Sequence, residues 1–325
     1  MTMLRKERAI DSVAMRDAYC ETLIALADQD PRILAVEADV MASMGTVAFA
    51  KRFPDRSINC GIQEANAVGV AAALSIMGFV PFFHTFGIFA TRRVFDQVFL
   101  SCGYQDANVK ITGGDAGVTA AANGGTHMPL EDMGLMRLVP GMTVIEPADA
   151  VAVRALVPQI ARMRGNVYMR CCRRQVIRIY EDGAPMELGR ANLLRDGNDV
   201  TLVACGILVH EALTAAEALE KEGIHARVVD HFTIKPLDEA MILRCARETG
   251  ALVACENHNA TGGLGSAVCD LLAREAPVPV EKIGVFERFG EVGDVPYLMA
   301  KFGLIAEDIA RAARRAVQRK REAKP

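Results

Sequence analysis

One carboxylate stands out as a candidate catalytic group. Glu64 follows the strand-like run and glycine of Asn59-Cys60-Gly61, and a helix of small residues is predicted over 65–77. The surroundings are mostly apolar, so burial favours the neutral acid while the helix N-terminus favours the carboxylate. A proton balanced in this way is frequent at functional sites. An acid that only stabilises the helix dipole is the structural alternative.

The composition limits the classes of function. With 325 residues, 51% apolar and 24% charged, the chain is long enough for two domains of ordinary size. A net charge of -3 provides no basic field, so no nucleic-acid partner is expected. Nine cysteines without a CxxC spacing favour free thiols in a reducing cytoplasm. Residues 68–83, the longest apolar stretch, are interrupted by polar and breaking residues, so no membrane span is predicted.

Apolar strand patterns alternate with helical patterns along the chain. The predicted strands cover 33–36, 79–83, 109–112, 142–145, 166–170, 200–204, 226–229 and 251–255. The predicted helices cover 11–29, 65–77, 91–102, 149–163, 208–222, 238–248 and 265–274. Buried strands that alternate with helices indicate parallel sheets covered on both faces. A linker-like break at 180–185 divides them. We therefore predict an α/β fold of two consecutive three-layer α/β/α domains, residues 1–184 and 188–325.

The Glu64 segment resembles the pyrimidine-binding motif of the transketolase family. Matching motifs follow in the family's order through both predicted domains. They include Glu37-Ala38-Asp39, Phe53-Pro54-Asp55-Arg56, Arg92-Arg93-Val94-Phe95-Asp96-Gln97, Thr126-His127, Thr233-Ile234-Lys235-Pro236-Leu237-Asp238 and Gly262-Gly263-Leu264-Gly265-Ser266. The resemblance implies a transferase that uses thiamine diphosphate to move a two-carbon ketol unit between sugars.

The chain resembles only the middle and last of the three transketolase domains. In the family, the first domain binds the diphosphate and Mg²⁺ through a GDG motif and a later Asn. The nearest imitation here, Gly114-Asp115-Ala116, lacks the third glycine and stands in another motif. The resemblance therefore implies a separate N-terminal, diphosphate-binding partner subunit that carries the metal ligands, with no metal ligand on this chain. It also implies self-association, as an α2β2 assembly with cofactor sites between the two chain types.

The resemblance assigns several residues to the cofactor. Glu64 matches the catalytic glutamate that hydrogen-bonds N1′ of the aminopyrimidine ring, although Ala65 replaces the family's usual Gln. Phe86 and Phe89 match the aromatic lining of the ring's pocket, and Phe89 is the expected stacking partner. Asp39 matches a position near the cofactor and the opposing chain, and a turn or helix-cap role is its alternative. Arg92 takes the place of a Tyr that larger transketolases often have.

Other matches face the substrate. His127 matches a histidine that serves the substrate during proton shuttling, and it is the second expected catalytic residue. Arg173 matches an arginine that binds the sugar phosphate, although a surface salt bridge is its alternative. Asp115 replaces a histidine that helps to hold phosphate, and Asn123 replaces an aspartate that binds a sugar hydroxyl. These two departures predict a branched, modified or unphosphorylated sugar, or a non-standard sugar phosphate, as substrate.

Two other functions stay open at this point. The chain could belong to another thiamine diphosphate enzyme, such as a deoxyxylulose-phosphate synthase-like carboligase or the β subunit of a 2-oxoacid dehydrogenase. It could also be a non-catalytic regulatory or binding subunit that kept the fold. The presence of Glu64, Phe89 and His127 argues against the second of these.

Overall fold

A computed structural model describes residues 3–322, so the ends of the two predicted domains, residues 1–2 and 323–325, lie outside it. The strands are β1 (Ile33–Glu37), β2 (Ser57–Asn59), β3 (Val80–Phe86), β4 (Lys110–Gly114), β5 (Thr143–Ile145), β6 (Val167–Cys171), β7 (Asn192–Arg195), β8 (Val200–Ala204), β9 (Ala226–Asp230), β10 (Thr233–Lys235), β11 (Leu252–Asn259) and β12 (Val280–Val285).

The helices begin with α1 (Met15–Gln29), α2 (Met41–Met44), α3 (Val47–Arg52), α4 (Glu64–Ile76), α5 (Gly87–Ala90), α6 (Phe95–Gln97) and α7 (Asp132–Leu138). They continue with α8 (Ala150–Arg162), α9 (Leu208–Glu220), α10 (Glu239–Thr249), α11 (Leu264–Glu275), α12 (Val295–Phe302) and α13 (Ala306–Glu322). No helix within residues 3–322 has the length and apolar character needed to cross a membrane.

The first sheet has seven strands in the order β10-β5-β6-β4-β3-β1-β2. All its pairs are parallel except β10 with β5. Helices α1 and α8 pack together on one face, where Leu23, Phe82 and Leu156 are buried in a common core. Helix α4 covers the other face through Val68 and Ala71. The central strands are apolar on both sides because both faces of the sheet are covered.

The second sheet has five strands in the order β12-β11-β8-β9-β7, and only the β7–β9 pair is antiparallel. Helices α9 and α13 pack against one face, and α10 and α11 lie against the other. Two α/β units with helices on both faces of their sheets confirm the predicted fold class. Strand β10 nevertheless belongs to the first sheet, although it follows the predicted linker in sequence. The boundary between residues 184 and 188 stays a prediction.

The helix predicted over 91–102 is the clearest local error. The backbone of Thr91 is not helical, with φ -124° and ψ -86°, and its hydroxyl donates to the carbonyl of Gly87 at 2.7 Å. Such side-chain bonds to backbone compete with a regular helix. A 3-10 turn over Arg92–Val94, the short α6 and a π-helical turn over Val98–Tyr104 replace the expected helix.

A buried arginine joins several elements beneath one edge of the first sheet. Arg170 on β6 is fully buried, and its Nε donates to Asp132 Oδ2 at 2.8 Å. Its Nη1 donates to Glu146 Oε1 at 2.9 Å, and its Nη2 donates to the carbonyl of Pro129 at 2.7 Å. The thiol of Cys205, which follows β8 in the second sheet, donates to the other Glu146 oxygen at 3.2 Å. This network therefore connects the two sheets.

Replacing Arg170→Met should destabilise the protein strongly, because Asp132 and Glu146 would stay buried without their cation. The expected loss in free energy of unfolding is about 3–5 kcal/mol, measured by urea denaturation followed by circular dichroism. Arg164→Met is the matched control, since the Arg164–Asp106 pair is mostly exposed and its loss should cost less than about 1 kcal/mol. Equal losses for the two variants would contradict this account.

A buried acid predicts a pH dependence of stability. Burial raises the pKa of Asp230 to about 8, although the hydroxyl of Tyr180 donates to it at 2.6 Å and opposes the shift. The unfolded chain releases this proton near a pKa of about 3.9. Folding therefore takes up a proton between these two values, and the free energy of unfolding falls as pH rises through that window.

The Asp230→Asn variant should remove this dependence. Its stability relative to the wild type should rise between about pH 5 and about pH 7.5, by up to about 1.4 kcal/mol per pH unit. Urea denaturation at the two pH values measures the difference. If the stability difference between the variant and the wild type is the same at both pH values, Asp230 is ionised in the folded chain.

Candidate active site

The predicted site residues follow the carboxyl ends of parallel strands in the first sheet. Asp39 follows β1, Glu64 follows β2, Phe89 follows β3, Asp115 follows β4 and Arg173 follows β6. Parallel strands end at the same edge of a sheet, and the crevice outside that edge is where open α/β sheets bind ligands. The topology thus brings residues that are far apart in sequence to one edge.

Glu64 is the first residue of α4 and is only 5% exposed. The Nη1 of Arg93 donates to Glu64 Oε1 at 2.6 Å. The guanidinium carbon of Arg93 lies 3.6 Å from the centroid of the Phe89 ring, in a cation–π contact. A planar cation therefore lies on the Phe89 ring while it pairs with the buried carboxylate.

His127 contacts both predicted aromatic residues. Its ring centroid lies 5.2 Å from that of Phe89 and 5.8 Å from that of Phe86, edge to face in both cases. The two phenylalanine rings are 6.0 Å apart. The hydroxyl of Thr126 lies 2.9 Å from His127 Nδ1, and the hydrogen bond from Arg170 to Pro129 fixes the following loop. The structure thus places the imidazole against both phenylalanine rings.

Arg92 and Asp39 lie at the border of this group. Arg92 lines a cavity of 440 Å³ with Phe89 and His127, but its guanidinium donates to Glu131 at 2.7 Å rather than to Glu64. Asp39 is exposed, with a positive φ of 61°, and exchanges two hydrogen bonds of 3.0 Å with Asn59. Asp39 therefore connects the end of β1 to the end of β2, and its role toward a cofactor stays a prediction.

Asp115 and Arg173 form a bidentate ion pair. Arg173 Nε donates to Asp115 Oδ1 at 2.5 Å, and Arg173 Nη2 donates to Oδ2 at 2.7 Å. Asn123 donates its side-chain amide to Asp115 Oδ2 at 2.9 Å. The guanidinium of Arg173 lies 4.8 Å from the centroid of Phe86. The structure thus joins three of the four predicted substrate residues, Asp115, Asn123 and Arg173, into one cluster beside Phe86.

Arg93 is the residue of this site that the sequence does not identify. The doublet of Arg92 and Arg93 is visible in the sequence, but two adjacent residues before a helix leave no rule for deciding which one turns toward Glu64. The 3-10 turn that follows Thr91 decides it, and the sequence pattern predicts a helix in place of that turn.

The site is suited to a flat, nitrogen-containing ring. The Arg93 guanidinium is a planar group with N–H donors, and it makes the two contacts that such a ring would need: one to a buried carboxylate and one to an aromatic face. These residues therefore fit an aminopyrimidine. Within residues 3–322, no three His, Cys, Asp or Glu side chains are arranged so that they could bind a metal ion.

Comparison with known protein families agrees with this geometry. The transketolase pyrimidine-binding domain matches residues 11–177, and the transketolase C-terminal domain matches residues 189–309. The chain therefore belongs to the transketolase family, which confirms the resemblance found in the sequence.

Two relatives are named as transketolase subunits, and one solved structure is named as a split gene transketolase. The chain is 49% identical over 306 residues to a 6-deoxy-6-sulfo-D-fructose transketolase subunit of Clostridium sp. (strain MSTE9), covering 94% of this chain and 95% of that one. It is 38% identical to a subunit of the apulose-4-phosphate transketolase of Phocaeicola vulgatus (strain ATCC 8482), covering 94% and 98%. A solved structure described as a split gene transketolase, inactive beta4 tetramer, has a TM-score of 0.88 at 43% identity, covering 95% and 100%.

The geometry predicts that Glu64 contributes little to stability. Glu64 is buried, but the side chain of its partner Arg93 is 45% exposed, so water can hydrate the guanidinium when the ion pair is lost, and such half-exposed pairs contribute about 1 kcal/mol or less. A glutamine at this position keeps an oxygen that can accept from Arg93. Glu64→Gln should therefore change the free energy of unfolding by less than about 1 kcal/mol in urea denaturation. A loss of several kcal/mol would show that the acid is a structural residue.

Proposed function

We propose that this chain is the subunit of a two-subunit, thiamine diphosphate-dependent transketolase that carries the pyrimidine-binding and C-terminal domains. The enzyme transfers a two-carbon ketol unit from a ketose to an aldose. The observation that carries this proposal is the buried Glu64 carboxylate beside the Phe89 ring, with a planar cation already making both contacts. Membership of the transketolase family supports the reaction class.

When bound, thiamine diphosphate supplies a nucleophilic carbon that adds to the ketose carbonyl. Glu64 would hold the pyrimidine ring through a proton shared between its carboxyl group and a ring nitrogen, in a place that water reaches poorly. Phe89 offers its ring for stacking, worth about 0.5–1.5 kcal/mol beyond burial. Arg93 would have to move off the Phe89 ring before the cofactor stacks there. Its side chain is half-exposed, so its guanidinium can move into water at low cost.

His127 is the proposed proton carrier for the substrate. It lies against Phe86 and Phe89, so a substrate held above these rings meets its imidazole. A neutral imidazole can both donate and accept, as transfer of protons between carbonyl and hydroxyl oxygens requires. We assign Arg92 and Asp39 supporting roles at the border of the cofactor site.

The second half of the site belongs, in this proposal, to a partner subunit that binds the diphosphate and Mg²⁺. Two relatives are named as subunits, and the structural neighbour without a second chain type is described as inactive. Helix α4 is apolar on almost every side, yet it exposes Ile76 to solvent, and the adjacent Val98–Tyr104 turn exposes Leu100 and Tyr104. Such surfaces suit subunit contacts.

We propose an α2β2 assembly in the cytoplasm, where the nine free cysteines would stay reduced. The proposed substrate is a non-standard sugar. The names of the two relatives show that divided transketolases act on different sugars, one sulfonated and one phosphorylated. Asp115 and Asn123 lie in the substrate cluster of this chain, so we assign the choice of sugar to that cluster.

The test is reconstitution with a diphosphate-binding partner from the same organism, followed by a ketose screen. Glu64→Gln should abolish two-carbon transfer while the complex still assembles, and Glu222→Gln, an exposed acid paired with Arg314, should leave transfer unchanged. Unchanged transfer in Glu64→Gln would favour a non-catalytic subunit. A reaction driven by pyruvate would favour a different carboligase, and xylulose 5-phosphate with ribose 5-phosphate as the best pair by kcat/KM would contradict a non-standard sugar.

A further inference from the structure

The ion pair of Asp115 and Arg173 is buried at the candidate site. Asp115 is 1% exposed and adopts a positive φ of 62°, so a side chain is held in a backbone conformation that favours glycine. Both its oxygens accept from Arg173, and one also accepts from Asn123. Burial keeps the interaction strong, because buried pairs are screened little by salt.

The pair leaves Arg173 little capacity for another anion. Its Nε and Nη2 donate to Asp115, and its Nη1 donates to the carbonyl of Ser43 at 3.4 Å. Its flat face lies on Phe86, and its side chain is 12% exposed. Each nitrogen of this guanidinium thus has an acceptor within the chain, and only the remaining N–H groups can reach a ligand.

The charge of the ion pair decides which ligand these N–H groups can bind. The positive charge of Arg173 is balanced by Asp115, so the pair is neutral as a unit. A phosphate dianion would therefore find no net positive charge to offset the cost of taking its two charges out of water, and the buried carboxylate lies beside the N–H groups that it would contact. A monoanion or a hydroxyl group brings half of that charge or none, and can still accept hydrogen bonds from the free N–H groups.

The other titratable groups near Asp115 do not restore a positive charge. The Cys172 thiol on the adjoining segment has a pKa raised by burial, and Asp115 raises it further, so it stays neutral. Arg16 donates to the same Ser43 carbonyl as Arg173, at 3.0 Å, but its side chain is 38% exposed and its charge is balanced by Asp17 at 3.6 Å. His127 lies beyond Phe86, and Arg174 is exposed and lies after Arg173 in the chain.

We propose that Asp115, by holding Arg173, selects against a phosphate dianion at the far end of the substrate, so that this end carries at most one negative charge. This inference rests on the proposed transketolase function. Among anionic end groups a sulfonate meets the condition, because it carries one charge at every physiological pH. A phosphate meets it only below its second pKa, about 6.

The experiment compares ketoses that differ only at the end group, using the reconstituted two-subunit enzyme. These are fructose, 6-deoxy-6-sulfofructose and fructose 6-phosphate. At about pH 7.5 the kcat/KM for the sulfonate should exceed that for the phosphate by about tenfold or more. The phosphate-to-sulfonate ratio of kcat/KM should therefore rise as pH decreases to about 5.5, because the phosphate gains a proton and the sulfonate does not.

Two variants should move the phosphate-to-sulfonate ratio of kcat/KM in opposite directions. Asp115→Asn should free Arg173 and raise the phosphate-to-sulfonate ratio by about tenfold or more at about pH 7.5, and flatten its pH dependence. Asn123→Asp replaces a donor to Asp115 by a second carboxylate and should lower the ratio further, and urea denaturation of this variant checks that it is folded. Asp106→Asn, another acid paired with an arginine, is the control and should leave the ratio unchanged.

The outcomes separate the two proposals. Turnover of any ketose with a phosphate-to-sulfonate ratio of one or more at about pH 7.5, unmoved by Asp115→Asn, overturns the charge selection and keeps the transketolase. Absence of two-carbon transfer with every ketose overturns the proposed function. In that case the shift in unfolding midpoint with each ketose still decides the selection: a larger shift with fructose 6-phosphate than with the sulfonate overturns it, and the reverse supports it.

Discussion

One buried charge, that of Arg170, holds the site region in a single arrangement. An arginine without water is costly, and only a full set of partners offsets that cost. Its partners are two carboxylates and the carbonyl of Pro129. Pro129 and Asp132 lie on one segment, and Glu146 lies on a second segment that is joined to the second sheet through Cys205. A shift of any of these segments would break a buried hydrogen bond, so the segments are fixed relative to one another.

Two groups of the site are held in place because they are close in sequence to Arg170 or to its partners. Pro129 stands two residues after His127, and Arg173 stands three residues after Arg170, so the imidazole and the ion pair with Asp115 are both anchored to the same buried arginine. Glu64 and Phe89 are positioned separately, at the ends of β2 and β3, and meet the anchored group at the sheet edge. The chain thus presents an acid, an aromatic face, an imidazole and a neutral ion pair at one edge.

Much of this architecture could be predicted from sequence because central strands carry continuous apolar runs. Each predicted strand is present, and the chemistry follows the strand ends as expected. The strands that escaped prediction are β2, β7, β10 and β12, which are the four edge strands of the two sheets. Strands β2, β7 and β12 are only partly buried and β10 has only three residues, so their sequences lack a continuous apolar run. Side-chain pairings escaped for another reason: Arg93 with Glu64 and Asp115 with Arg173 depend on turn geometry that residue types do not determine.

In the proposed function, this edge of the first sheet is one half of a cofactor site shared with the partner subunit. Calorimetric titration of thiamine diphosphate with Mg²⁺ tests that claim most directly, using this chain alone, the diphosphate-binding subunit alone and the mixture of the two. We predict tight binding only in the mixture, at one cofactor per pair of unlike subunits, with Glu64→Gln weakening it. Equally tight binding by this chain alone, or none by the mixture, would contradict the account.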